Sequence, residues 1–289
     1  MLFDDPAAAL ALGYPERPCR LRHRLVGDPL FTLPALLALA RRLPPALIEY
    51  NSGDLPIDQD PQQTPMTGLS IEETIRRIDA CNSWMVIRSA ERDPGYRRLF
   101  DECLAGIAAA AERSTGKMHK TIGFIFISSP HAVTPLHFDP EHNILMQIAG
   151  EKRITIYPSA CVADEQHERY HAGAAHRNLP HDPAFEVRAQ AFDLAPGDAV
   201  YVPVKAPHWV KNGPSPSISF SITWRSRASL AEARLRLANH WIRQRGGAPP
   251  PPGTAPLRDA AVILAHRAAA RLARGWRRPD EAGAAEEPA

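Results

Sequence analysis

HFDPEHNILMQIAGEKRITIYP, residues 137–158, is the stretch that sets the character of this chain. Two apolar runs, NILMQIA (143–149) and RITIYP (153–158), flank Ala149-Gly150-Glu151, a pattern that predicts a β-hairpin. His137 and Asp139 stand just before it. Residues two apart on an extended segment point to the same face, so this short piece of chain delivers an imidazole and a carboxylate to one point. Alone the pair says little. With 12 His and 16 Asp in the chain, about one His-x-Asp is expected by chance.

A second stretch offers a candidate third ligand. PGDAVYVPVKAPHWVKN (196–212) opens with a tight Pro196-Gly197-Asp198 turn, runs through an apolar strand to Pro203, and places His208 in the loop beyond. Two His and one carboxylate on one face of an iron leave three coordination positions open, as non-haem Fe(II) oxygenases require. Lys152 begins the second apolar run, among Ile144, Leu145, Ile148, Ile154 and Ile156. A buried ammonium needs an anionic partner, and a dicarboxylic cosubstrate would supply one. The plainer alternatives are a surface His–Asp pair, a satisfied loop histidine and a hydrated turn lysine.

Outward from these motifs, residues 119–225 read as strands: TIGFIFISS (121–129), a run ending at Asp139, AFDL (191–194), DAVYVP (198–203) and ISFSITW (218–224). Short strands between Gly/Pro turns predict a β-sandwich or barrel. The polar segment 159–190 is expected to be a surface insertion or lid. Its His167, His171, His176 and His181 have no cysteine partner, so structural or solvated roles outweigh a second metal site. His131 and His142 are expected near the barrel mouth, off the metal.

The N-terminal part predicts helices at 33–43, 71–81 and 96–113, the second opened by a Ser70/Glu73 capping box, with strands at 46–51 and 84–89. After residue 226 a Ser229/Glu232 capping box precedes a helix over 230–245, and GGAPPPPG (246–253) links it to a helix over 257–276. Leu257, Ala261, Leu264, Ala268, Leu272 and Trp276 form an apolar stripe on that last helix. Arg258, Arg267, Arg271, Arg274, Arg277 and Arg278 read as its solvated face. The expected division is N-terminal α/β elements (1–114), a β core (115–226), C-terminal helices (227–278) and a disordered tail (279–289).

The whole-chain figures bound the rest. Formal net charge is +2, with 5 Lys against 29 Arg, which gives no footprint for nucleic acid. Cys19, Cys81, Cys103 and Cys161 form no CxxC pair, which fits a reducing compartment. The opening MLFDDPAAAL carries acid where a secretion signal carries base, and no run of 18 apolar residues occurs. A soluble cytoplasmic protein with no membrane partner is the expectation.

Taken together, HFDPEHNILMQIAGEKRITIYP and PGDAVYVPVKAPHWVKN resemble the JmjC, or cupin-like, iron(II)/2-oxoglutarate oxygenases, and within them the asparaginyl-hydroxylase type that inhibits the hypoxia-inducible factor. The resemblance covers about 120–225. It implies a double-stranded β-helix (jelly roll) whose iron is bound by His137, Asp139 and His208. It also implies that Thr134 and Lys152 bind the distal carboxylate of 2-oxoglutarate and that Asn143 lines the site. Two positions depart from the pattern: Lys205 replaces a usual glycine, and Thr223 stands where the asparaginyl hydroxylase has an Asn near the iron.

The function expected on these grounds is hydroxylation of a peptide or protein side chain, with decarboxylation of 2-oxoglutarate to succinate. N-demethylation would use the same chemistry. The rival readings are hydroxylation of a small molecule, a cupin isomerase, and a non-catalytic cupin regulator or sensor. The resemblance further implies a homodimer built by the C-terminal helices.

Overall fold

The computed structural model describes residues 2–276. Among these, the strands are β1 (Cys19–Arg22), β2 (Ile48–Ser52), β3 (Ser83–Arg88), β4 (His119–Ser128), β5 (Val133–His137), β6 (His142–Ala149), β7 (Lys152–Ile156), β8 (Gln190–Leu194), β9 (Asp198–Val202), β10 (His208–Asn212) and β11 (Ser217–Arg225). They form two antiparallel sheets. One has seven strands in the order β1-β9-β6-β11-β4-β3-β2, the other four in the order β5-β10-β7-β8. Residues 1–114 therefore contribute three strands to the larger sheet. The two sheets face one another across Leu145, Val200 and Val202 on one side and Ile154, Ile156, Leu194 and Val210 on the other. This is the double-stranded β-helix that the resemblance implied.

The central strands β6 and β11 of the larger sheet are buried on both faces. This explains the near-continuous apolar run of β6, whereas β11 alternates, with Ser217, Ser219, Ser221 and Thr223 between its apolar residues. Its outer face carries Ile144, Met146, Ile148, Phe220, Ile222 and Trp224. Helices α1 (Pro6–Ala11), α2 (Leu33–Arg42), α3 (Ile71–Arg76) and α4 (Pro94–Thr115) accompany this face. Tyr96, Phe100, Cys103 and Ile107 recur at helical spacing along α4 and are all buried in the same cluster as the outer sheet residues. Asp93 caps α4 by accepting from the Gly95 N–H.

Several expectations change. The 137–158 stretch is not a hairpin: β6 pairs with β9 and β11, whereas β7 pairs with β8 and β10. The turn at Gly150 instead carries the chain from one sheet to the other. Gly150 has φ +67°, and a Cβ there would lie 2.3 Å from the Pro216 carbonyl oxygen. Helix α3 is shorter than its periodicity suggested, ending at Arg76 rather than residue 81. His142 is not at a mouth; it is buried on the outer face of β6, its Nδ1 2.8 Å from the Tyr201 hydroxyl, among Tyr14, Tyr201 and Trp224.

The chain divides into two units, residues 1–162 with 176–229, and residues 163–175 with 230–289. The second holds α5 (Asp164–His171), most of α6 (Arg227–Arg243) and α7 (Pro256–Trp276). Helix α6 starts three residues earlier than expected. Ser226 and Ser229 cap it reciprocally, each hydroxyl accepting from the other's backbone N–H, while Glu232 pairs with Arg236. In this unit Arg236 also reaches Asp164, and Arg243 holds the buried Glu168 at 2.7 Å. Only His167 and His171 of the four histidines lie on α5. Leu257 and Leu264 of the predicted stripe are 90% and 64% exposed. The tail expected at 279–289, with Arg277 and Arg278, lies outside the described residues. No helix among those described is long and apolar enough to cross a membrane.

Candidate metal centre

His137, Asp139 and His208 offer ligand atoms that all lie within 4.8 Å of one another. Asp139 Oδ2 is 3.9 Å from His137 Nε2 and 3.7 Å from His208 Nε2. The two imidazole rings are 4.3 Å apart. Ligand bonds of about 2 Å allow one ion to touch atoms spaced this way. Among the described residues no other group of three or more His, Cys, Asp and Glu meets the same test.

Strand pairing builds the cluster. His137 and His208 are opposite one another on β5 and β10, so their side chains share the inner face of the smaller sheet. Asp139 lies beyond the end of β5, not on it, so His137 and Asp139 do not share a strand face. Its carbonyl is instead fixed by the Lys205 N–H at 2.7 Å. Lys205 is at φ +64°, the left-handed conformation that a glycine would adopt more easily. That positive φ accounts for the glycine usual at this place.

Both imidazoles are oriented from behind. His137 Nδ1 is 2.7 Å from the Pro135 carbonyl and His208 Nδ1 is 2.9 Å from that of Ala206. An Nδ1–H donated to a carbonyl leaves each Nε2 with its lone pair toward the centre. Burial lowers the pKa of both rings and keeps them neutral. Burial opposes the charge on Asp139, but the Arg177 charge and its hydrogen bond favour it, and the carboxyl pKa stays below its usual value. Two neutral imidazoles and one carboxylate are the protonation states that a divalent metal requires. The residues present thus fit such an ion.

Arg177 is a residue that the sequence did not single out. Its Nη1 donates to Asp139 Oδ1 at 2.7 Å, which leaves Oδ2 facing the two imidazoles. An isolated bridge between His137 and Asn178, with Leu179 N–H donating to the Leu136 carbonyl at 2.9 Å, lays residues 177–179 alongside the end of β5. Nothing local in the polar 159–190 segment marks Arg177. Its role depends on where that segment returns to the sheet.

The residues expected around a cosubstrate fall on the same interior. Thr134 is opposite Val210, two residues from His208, although it lies three before His137. The extra residue is a bulge in β5, which turns both Thr134 and His137 inward. Pro135 sits in that bulge, tolerated because β5 is an edge strand. Lys152 is 6% exposed and meets no carboxylate; burial alone pulls its pKa down to about 7. Across the cavity, Asn143 Oδ1 accepts from Ser221, and Gln147 is held by Ser217 and Ser219. Thr223 is opposite Asn143, but its hydroxyl is satisfied by the Ile122 carbonyl at 3.2 Å.

Comparison with known proteins places this fold. A family model described as a cupin-like domain matches residues 83–229. The Jumonji C domain-containing protein 5 of Drosophila melanogaster is 32% identical over 103 residues, 32% of this chain and 25% of that protein. The lysine-specific demethylase JMJ30 of Arabidopsis thaliana is 34% identical over 110 residues, 35% of this chain and 25% of that protein. The match thus spans a quarter of the length of either relative. Among solved structures, Escherichia coli ycfD aligns over 93% of this chain and 69% of its own with a TM-score of 0.52 at 15% identity, a likeness of fold. A second structure of YcfD, described as a ribosomal oxygenase in complex with cobalt and succinic acid, gives a TM-score of 0.50 at 13% identity over 93% of this chain and 67% of its own. The finer resemblance to the asparaginyl-hydroxylase type rests on the motifs alone. On the family model and these relatives, the chain belongs to the cupin-like domain family, of the JmjC kind.

Proposed function

We propose that this protein is an Fe(II)- and 2-oxoglutarate-dependent oxygenase that hydroxylates a peptide or protein side chain. The observation that carries the reading is the coincidence on one interior of a three-donor metal cluster and a buried lysine with no anion beside it. A structural metal site has no use for that lysine, and an isomerase of the same fold has no dicarboxylate to pair with it. Iron bound at His137, Asp139 and His208 would couple O₂ and the decarboxylation of 2-oxoglutarate to succinate with oxidation of a C–H bond.

The chain's own residues have separate tasks. Pro135 and Ala206 hold the Nδ1 protons and aim the two Nε2 atoms, and Arg177 aims the Asp139 carboxylate. Lys152 and Thr134 stand on the sheet that carries both histidines and would receive the far carboxylate of 2-oxoglutarate. Apolar Leu145, Ile154, Ile156 and Val202 keep water away from that end. A macromolecular substrate is supported by the relative named as a lysine-specific demethylase. For such a substrate, hydroxylation at an N-methyl carbon would end in demethylation. The exposed Leu257 and Leu264 support self-association through α7, and Leu264→Asp should leave a monomer in sedimentation equilibrium.

The test is succinate formation by anaerobically prepared, Fe(II)-loaded protein after O₂ is admitted, with His137→Ala as control. Turnover lost in the variant supports the assignment. Absence of 2-oxoglutarate binding to the Fe(II) protein would sink it.

A further inference from the structure

Asn212 ends β10 directly opposite Lys152 on β7. Opposed residues of an antiparallel pair project to one face with their Cα atoms about 5 Å apart. Asn212 is 4% exposed, and its Oδ1 is buried without a hydrogen-bond donor. Its backbone needs no help from the side chain, because the Asn212 N–H donates to the Ala132 carbonyl at 3.0 Å and the next N–H, of Gly213, to that of Glu151 at 2.8 Å. A buried amide oxygen left unpaired is unfavourable. Register puts it on the same sheet face as buried Lys152, which has no carboxylate beside it, and the two side chains do not hydrogen-bond in the ligand-free protein.

We infer that Asn212 is a positioning residue for the cosubstrate: its amide oxygen accepts one Lys152 N–H and turns the remaining ammonium protons toward the far carboxylate of a 2-oxo dicarboxylic acid. The inference rests on the oxygenase reading above. It explains why an amide, not an acid, occupies the position. A neutral acceptor orients the ammonium and leaves its charge for the ligand. An aspartate there would pair with Lys152, cancel the charge and repel the incoming carboxylate. Asn212 thereby becomes a determinant of specificity for dicarboxylic over monocarboxylic 2-oxo acids.

The experiment compares 2-oxoglutarate with pyruvate, which has the same chelating end and no second carboxylate. Binding to the Mn(II)-loaded full chain under anaerobic conditions is measured by calorimetry for the wild type, Asn212→Asp and Asn212→Ala. Charge-assisted hydrogen bonds of ~1.5–3 kcal/mol predict that Asn212→Asp weakens 2-oxoglutarate by about 10- to 150-fold, with pyruvate changed less than about 3-fold. Asn212→Ala should weaken 2-oxoglutarate by about 2- to 10-fold, less than Asn212→Asp, because the ammonium keeps its charge and loses only its orienting acceptor. Ligand-free Asn212→Asp should also melt higher than wild type, since Lys152 gains a partner. Equal weakening of both acids, or an unchanged preference for 2-oxoglutarate in Asn212→Asp, would overturn the assignment of Asn212 and leave the oxygenase reading standing. A wild type that binds neither acid would overturn the oxygenase reading itself.

Discussion

Replacing Lys152 with Met should move stability and ligand binding in opposite directions. In the unfolded chain Lys152 titrates near 10.5; folded, burial brings it to about 7. The unfolded state therefore holds more protons between pH 7 and 10.5, and wild-type stability contributed by this group rises with pH across that window. At pH 7.5 the ammonium gives up its proton on folding against a gap of about 3 units, on the order of 4 kcal/mol at ~1.36 kcal/mol per unit. Met keeps the length and apolar volume of the side chain without that penalty. Ligand-free Lys152→Met should thus be more stable than wild type by roughly 2–4 kcal/mol at pH 7.5. The gain should shrink toward zero as pH approaches 10.5. Urea denaturation of metal-free protein at half-unit pH steps reads both the size and the slope. The same variant should bind 2-oxoglutarate at least about 10-fold more weakly, because a charge-assisted bond is gone. A Lys152→Met protein that is less stable than wild type at pH 7.5, or whose stability tracks pH as the wild type does from 7 to 10, would refute the argument that Lys152 lies buried and unpaired.

Other outcomes follow from the same geometry. Binding of 2-oxoglutarate at pH 8.5 should take up about one proton, as Lys152 passes from mostly neutral to charged, and almost none below pH 6; calorimetry in two buffers of different ionisation heat measures this. Arg177→Ala should weaken Co(II) binding by about 10- to 100-fold, the usual effect of losing a group that orients a metal ligand, with the far-ultraviolet spectrum unchanged. Equal Co(II) affinity would mean that Asp139 is held in place without Arg177. Gly150→Ala should destabilise the fold by about 2–4 kcal/mol, because a Cβ at φ +67° would meet the Pro216 carbonyl at 2.3 Å. A melting temperature within a degree of wild type would contradict that contact.

Much of the site could be read in one dimension because its parts are local. His137 and Asp139 are two residues apart, and the turn, strand and Pro203 that precede His208 have composition cues of their own. The same holds for the capping box at Ser70, where side-chain spacing follows directly from backbone geometry. Lys152 drew attention because a charge inside an apolar run conflicts with burial, and that conflict persists in the folded chain. What went astray was pairing. Residues 137–158 have the pattern of a hairpin, but pattern records only that each strand is extended. Whether neighbours in sequence pair with each other depends on which strands compete for their edges. Here β9, β11, β8 and β10 take those edges, so the Gly150 turn crosses between sheets.

The sequence by itself thus determined the strands of the core and the long helices, the three ligand residues as candidates and the lysine awaiting an anion, since each follows from residue chemistry and short-range spacing; α1, β1 and α5 were not among them. The tertiary structure alone decided that a bulge in β5 turns Thr134 and His137 to one side, and that His142 faces the outer core. It alone brought Arg177 back to Asp139 from 38 residues away and set Asn212 opposite Lys152. Those relations come from register and from loops returning over long stretches of chain, and register is fixed only when both faces of a sheet have found what covers them.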